Sequence, residues 1–257
     1  YSTAWSGYQY KQWTQNVPNP TAPTATLALN DAGQRVDLSL TVPATSGYDP
    51  TTSLVDVQRQ LANGTWRDVR GKVGLYVYAD GISHGAGSDY EADRGATNTY
   101  RARVSMWHTV DAVRRYSSWA TAAVSGPTAG TWNLKAVDAP ASNWLGVPVS
   151  AEPSESSQAP AATIEPLDRD RPVVLLGTIG GFARAFEIVC SGAAAINAIK
   201  ALEAYRGRVY LEDAFGETRW VAITKVSWRR EGTAAAPRRV ATVEYSEISS
   251  GLSVSTS

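Results

Sequence analysis

The 257-residue chain has little of what metal and nucleophile chemistry draws on: one cysteine, one methionine and two histidines. A single cysteine excludes an internal disulfide, and Cys190, at the end of an apolar run, reads as a small buried hydrophobe. His84 and His108 have no cysteine or second histidine at ligand spacing, which argues against zinc. No Gly-x-Ser-x-Gly occurs, so the sequence offers no nucleophile elbow. Charge of one sign is lacking too. The 24 basic and 24 acidic residues cancel, leaving no electrostatic footprint for nucleic acid or an anionic membrane. No apolar run approaches the roughly twenty residues of a membrane helix, and no secretory leader is recognisable. The first residue is Tyr1 and not methionine, so the chain is expected to be part of a longer one. Nothing here assigns a catalytic, cofactor or metal residue, and the expectation is a protein that is not an enzyme and carries no cofactor.

What the chain does have is strand periodicity. Residues 1–17 are aromatic and polar (Trp5, Tyr8, Tyr10, Trp13) and read as an arm or the end of an upstream element. Pro18, Pro20 and Pro23 follow as a linker that cannot join a ladder. Residues 18–127 then alternate repeatedly. Val36, Leu38, Leu40 and Val42 oppose Arg35, Asp37, Ser39 and Thr41, Ser53–Gln60 alternates before Asn63-Gly64, and Tyr100–Trp107 alternates again. Asn-Gly is a strong hairpin signal because both central residues of a primed turn need positive φ. About seven strands with turns every eight to twelve residues predict an antiparallel sandwich, with Ala79–Ser88 as a glycine-rich insertion.

Residues 128–170 carry Trp132, Leu134, Trp144 and Leu145 and then a Ser/Pro/Ala/Glu-rich run, which predicts an extended linker. The bulky residues need something to bury against, and the expectation is a neighbouring subunit. Residues 171–248 begin with two apolar runs, Pro172–Thr178 and Phe182–Cys190, split by Gly180-Gly181 as a hairpin. A helix follows over Gly192–Arg206, with Ser191 as its cap and Gly207 as its stop. Arg208–Glu212 is a strand and Asp213–Gly216 its turn. Thr218–Trp228 is a longer strand with Trp220 and Trp228 on one face, Arg229–Pro237 a loop, and Arg238–Ile248 the last strand. This order predicts a small split β-barrel carrying one helix, with 249–257 as a tail. The fold class is mainly β.

Candidates for chemistry are few. Asp89, Glu91 and Asp93 alternate along one strand and, with Asp80, could hold calcium or act as a glycosidase pair; a solvated strand edge is the simpler account. Gly177–Gly181 lies between strands and not before a helix, which favours a turn over a phosphate cradle. Asp168–Arg171 could form inter-chain ion pairs. Trp5, Trp13 and Trp107 could stack on sugars or serve as core and interface residues.

Two resemblances rest on these residues. Pro20–Pro23 as P-x-A-P, Trp66 after the hairpin, Gly95–Val104 as G-x-x-x-x-Y-R-A-R-V and Ser117–Thr121 as S-S-W-A-T resemble a fibronectin type III domain. The resemblance implies that Tyr100 and Trp66 help define the fold, Tyr100 as a corner tyrosine bonded back to the preceding loop. Val209–Gly216 (V-Y-L-x-D-x-x-G), the helix before it and the closing Val243–Tyr245 resemble the hub domain of tail-tip proteins of long-tailed bacteriophages. Asp89–Ala92 (D-Y-E-A) is similar to tail proteins of phages infecting actinobacteria. Together they imply a minor tail protein located in the virion tail tip. Copies would form a ring around the tail axis, contacting other tail-tip and tail-tube proteins and a host surface glycan. Trp132, Leu134, Trp144 and Leu145 would lie at the subunit interface. The alternative is a carbohydrate-binding or accessory module of a secreted actinobacterial protein.

Overall fold

Nine strands build the first unit: β1 (Thr24–Asn30), β2 (Arg35–Thr41), β3 (Leu54–Gln60), β4 (Trp66–Asp68), β5 (Leu75–Tyr76), β6 (Ser83–Asp89), β7 (Thr97–Trp107), β8 (Arg114–Tyr116) and β9 (Ala120–Ser125). They are taken from a computed structural model that describes residues 17–139, 142–156, 161–164, 173–176, 183–205, 207–233, 236–248 and 254–255. One sheet has the order β1-β2-β6. The other runs β4-β3-β7-β8, with β5 on β3 and β9 on β7. The alternation in β2 turns Val36, Leu38 and Leu40 inward against Val55 and Val57 of β3 and Tyr100, Ala102, Val104 and Met106 of β7, all buried. This is the antiparallel sandwich that the period of two implies. The Asn63-Gly64 turn joins β3 to β4, and Gly64 has φ +82°, a value only glycine adopts cheaply. The glycine-rich insertion expected at Ala79–Ser88 is largely β6, in register with β2 from Thr41 opposite Ser83 to Val36 opposite Asp89.

The second unit begins earlier than the sequence suggests. Its elements are β10 (Trp132–Lys135), β11 (Trp144–Val147), β12 (Val149–Ser156), β13 (Ala161–Ile164), β14 (Val173–Leu176), β15 (Ala183–Cys190), helix α1 (Gly192–Ala204), β16 (Val209–Glu212), β17 (Thr218–Thr233) and β18 (Ala236–Glu247), and a last strand, β19 (Val254–Ser255), returns to the sandwich. Seven of the strands form one antiparallel sheet in the order β11-β10-β16-β17-β18-β15-β12. Three of these come from the segment expected as a linker. The reason is local: Trp132 and Leu134 have apolar faces that find their partners within the same chain.

Among the described residues, no ladder closes this sheet into a barrel. Its two edge strands, β11 and β12, are nevertheless one stretch of chain interrupted only by Pro148, so the sheet must curl until its edges nearly meet. Pro148 has no N–H to give to a ladder, and its carbonyl accepts from the Val189 N–H at 3.1 Å. Inside the curl, Trp132, Leu134, Phe186, Ile188, Leu202, Val209, Leu211, Val221, Val243 and Tyr245 form the core. Helix α1 covers it with Ile199 and Leu202.

Five further expectations change. β14 pairs with β13 and not with β15, so the runs either side of Gly180-Gly181 are not one hairpin; the two glycines lie outside the described residues. Arg229–Pro237 is mostly strand, since β17 runs on to Thr233. A bulge between Ile223 and Lys225 then puts Trp220 and Trp228 on opposite faces, which strict alternation could not show. At the helix, Ser191 stands at the N-cap without a side-chain hydrogen bond, and Tyr205 is the C-cap in place of a glycine stop. In the expected tail, β19 pairs with β4 of the sandwich.

Candidate functional site

β10 and β16 are buried on both faces. In their antiparallel register Leu134 lies opposite Leu211, and this pair faces the core of the second sheet. Asn133 lies opposite Glu212 and Lys135 opposite Tyr210, and this polar pair of rows faces the sandwich. The result is a buried ionic junction between the two units.

At its centre Lys135 Nζ donates to Glu212 Oε1 at 2.6 Å, to the Gln34 carbonyl at 2.5 Å and to the Tyr90 carbonyl at 2.9 Å. Asn133 Nδ2 donates to the second Glu212 oxygen at 3.0 Å. Arg94, from the loop before β7, reaches the Asp213 carbonyl at 2.9 Å and the Thr131 carbonyl at 2.8 Å, and its Nε lies 3.8 Å from Glu212. Lys135, Glu212 and Arg94 are almost wholly removed from water. Burial lowers the Lys135 pKa below the ordinary lysine value, and the Glu212 carboxylate pulls the other way.

The acidic alternation supplies the sandwich side. Asp89 accepts from Arg59 Nη1 and from the Tyr100 hydroxyl, both at 3.0 Å. Glu91 accepts from Arg67 and Arg70, each at 2.9 Å, and its own carbonyl accepts from Arg59. Burial raises the Glu91 pKa while Arg67 opposes that rise. Arg70 then stacks on the Trp220 ring of the second sheet, 4.4 Å from its centroid. Asp89 and Glu91 are therefore neither a solvated edge nor a pair of free carboxylates: arginines hold both Glu91 oxygens, and Arg59, Tyr100 and the Glu91 N–H hold those of Asp89. Asp93 lies 3.8 Å from Arg59, whereas Asp80 is apart from the group, paired with His84 at 3.0 Å. Among the described residues, no three His, Cys, Asp or Glu side chains are grouped to hold a metal.

Tyr100 bonds back to the end of β6 and not to the loop that follows it. Tyr100 is fully buried and its hydroxyl reaches back eleven residues to Asp89. Burial, with the Asp89 charge beside it, drives its pKa far above the ordinary phenol value. Trp66 has a different role. It lies half-buried on the outer face of the sandwich, under Arg101 at 4.4 Å, and continues a ladder in which Arg101 and Arg103 both stack on Trp119 and Arg103 also stacks on Tyr116. Rings covered by guanidinium groups have less free face to offer a sugar. Trp107 remains partly exposed beside Arg114.

The expected interface residues are mostly internal. Trp132 is buried and stacks on Phe186 at 5.6 Å. Trp144 is buried and its indole N–H donates to the Ala198 carbonyl of α1 at 2.7 Å. Leu134 is 1% exposed, and Leu145 alone is half-buried, lining an apolar groove of about 270 Å³ beside α1. The premise that a single copy leaves these tryptophans exposed is thus replaced: they anchor the second sheet of their own chain. Cys190 is buried, as expected, and burial raises its thiol pKa. His108 is buried with its Nδ1 2.8 Å from Asp111. Trp5, Trp13, Asp168–Arg171 and Gly177–Gly181 lie outside the described residues.

The chain matches no protein-family model and no curated protein sequence. Among the described residues, no helix is long and apolar enough to cross a membrane.

The junction residues Lys135, Glu212, Arg94 and Arg59 are absent from the sequence-based candidates. Their signal was present but faint: a charge closes each of two short apolar strands, Trp132–Lys135 and Val209–Glu212.

Proposed function

We propose that the chain is a structural virion protein, a minor tail protein of a long-tailed phage tail tip, and that its copies form a ring around the tail axis. The observation that supports this reading is the buried junction. It couples sandwich and sheet through Lys135, Glu212, Arg94 and Arg70, giving a stiff two-part body suited to transmitting load. A secreted enzyme's accessory module, hung on a flexible tether, has no need of such coupling. The resemblance of Val209–Gly216 and of the fibronectin-like motifs adds the direction: tail tip, with neighbouring tail-tip and tail-tube proteins and a host surface glycan as partners.

The second reading is a carbohydrate-binding or accessory module of a secreted protein. It is favoured by exposed Tyr76, Tyr78, Trp107 and Tyr116, and weakened by the arginines that cover Trp66 and Trp119. Quantitative mass spectrometry of purified virions against the tail-tube subunit separates the two. A fixed low copy number per tail is expected. Absence from virions together with binding to a glycan panel would favour the module.

A further inference from the structure

β6 pairs with β2 and, among the described residues, with no strand on its other side. Its free edge turns backbone N–H and C=O groups away from the ladder. Beside that edge is the turn after β4, which β3 holds in place. The Val69 N–H donates to the Val57 carbonyl at 3.0 Å, and the Val57 N–H to the Lys72 carbonyl at 2.9 Å. Between turn and edge lies a cavity of about 260 Å³. Val137, just past β10, supplies a wall from the second unit, and Gly87 of β6 lines the cavity while exposed to solvent.

The charges around this cavity are not equally engaged. Both Glu91 oxygens are held by Arg67 and Arg70, and Asp89 is held by Arg59, Tyr100 and the Glu91 N–H. Arg70 also lies 3.6 Å from Asp138 and stacks on Trp220. Lys72 differs from all of these. It is half-buried, and among the described residues its ammonium has no hydrogen-bond, ion-pair or ring partner.

Its side chain lies across bare backbone. Gly87 has φ +90°, and a Cβ built there would stand 2.6 Å from Lys72 Nζ. Glycine at this position permits the left-handed backbone and leaves room for the ammonium. Burial pushes the Lys72 pKa below the ordinary lysine value, and the Asp89 charge opposes that shift. A partly desolvated charge without a counter-ion is a cost to the fold. An anion in the cavity would remove it.

We propose that this cavity binds a small ligand bearing a carboxylate or phosphate group, and that Lys72 recognises the charge. The free edge of β6 offers backbone groups to the ligand's uncharged polar atoms, and Val69 and Val137 give it apolar walls. The volume sets the scale: it falls below the roughly 300–1,000 Å³ of drug-sized sites and suits a body the size of one sugar. The site lies within one chain and does not depend on ring assembly.

The test uses the five lysines of the chain, Lys11, Lys72, Lys135, Lys200 and Lys225. Full-length protein labelled with carbon-13 at the lysine ε position is followed by NMR, and Lys72→Gln assigns the Lys72 signal. The probes are inorganic phosphate, glucose 6-phosphate and glucuronate, with glucose as the uncharged control. At least one anion is expected to move the Lys72 signal saturably with a Kd of about 1 mM or tighter, while Lys200 and Lys225 stay in place. The bound anion also raises the pKa at which Lys72 titrates, because a neighbouring negative charge favours the ammonium. Tighter binding of either sugar than of inorganic phosphate identifies a sugar-borne acid as the ligand; equal binding identifies a free oxyanion, and both outcomes support the site. Lys72→Arg keeps binding, and Lys72→Gln weakens it about tenfold or more. Val137→Phe keeps the charge and fills the cavity, so it weakens the acidic sugars more than inorganic phosphate. Circular dichroism checks the fold of each variant, and Lys72→Gln decides the matter if Val137→Phe does not fold. A Lys72 signal that no anion moves at about 10 mM overturns the inference. So does a drift of all lysine signals together without saturation, binding of glucose as tight as that of the anions, or full binding by Lys72→Gln.

Discussion

Lys135 Nζ lies 2.6 Å from Glu212 Oε1 with neither side chain exposed, and the two residues are 77 positions apart. A buried pair of this kind is not by itself a source of stability, because both charges are taken out of water. Removing one partner is a different matter. Lys135→Met is expected to destabilise the chain by roughly 3–5 kcal/mol, since Glu212 is then left buried without its ammonium. Lys135→Met/Glu212→Leu should recover most of that loss. Urea midpoints of the three proteins check it, and equal losses in the single and double variants would contradict the account.

Tyr100→Phe removes only the hydroxyl that donates to Asp89. A cost of roughly 1–3 kcal/mol is expected, the upper end applying because the acceptor is a buried carboxylate. An unchanged denaturation midpoint would show that Arg59 and the Glu91 N–H satisfy Asp89 without it.

Trp144→Ala separates folding from assembly. Trp144 packs against Tyr205 at 6.2 Å and holds α1 through Ala198. Its truncation is expected to cost roughly 3–5 kcal/mol in the isolated chain. A variant as stable as wild type but deficient in assembly would restore Trp144 to a subunit interface.

Asp111 provides a pH test. The hydrogen bond from Arg115, then those from His108 and the Val113 N–H, lower its pKa from 3.8 to about 2. A depressed carboxylate pKa adds stability above the unfolded value, and that stability is lost as pH falls through the folded value. The melting-temperature gap between wild type and Asp111→Asn should therefore be constant above about pH 5 and shrink as pH falls toward 2. A gap that widens on acidification would contradict this sign.

Much of the fold was legible because burial on one face writes a period of two. Val36–Val42, Ser53–Gln60 and Tyr100–Trp107 lie largely in β2, β3 and β7, and the helix expected from Gly192 is α1, Gly192–Ala204. β10 was not legible because Asn133 and Lys135 look solvent-facing until the sandwich covers them. β6 was hidden by its glycines, and the bulge at Ile223–Lys225 reversed the phase of β17. The junction escaped for a related reason. An alternating Asp-x-Glu-x-Asp is the same string whether water or arginine faces it, and Arg59, Arg67 and Arg70 are distant from it in sequence.

The long separation between Lys135 and Glu212 also orders events during synthesis. When the sandwich strands have left the ribosome, its half of the junction is complete: Gln34 and Tyr90 carbonyls, Arg94 and the Asp89–Arg59 pair. Lys135 follows soon after and can find those two carbonyls, but its carboxylate partner is still many residues from emerging. At about 5–20 residues per second, the nascent chain spends roughly 4–15 seconds in that state. Throughout it, β10 lacks β16, and Trp132 and Trp144 lack Phe186 and Tyr205 as cover. The interval in which this protein is most exposed to chaperones, proteases and mispairing thus falls between the emergence of residues 135 and 212.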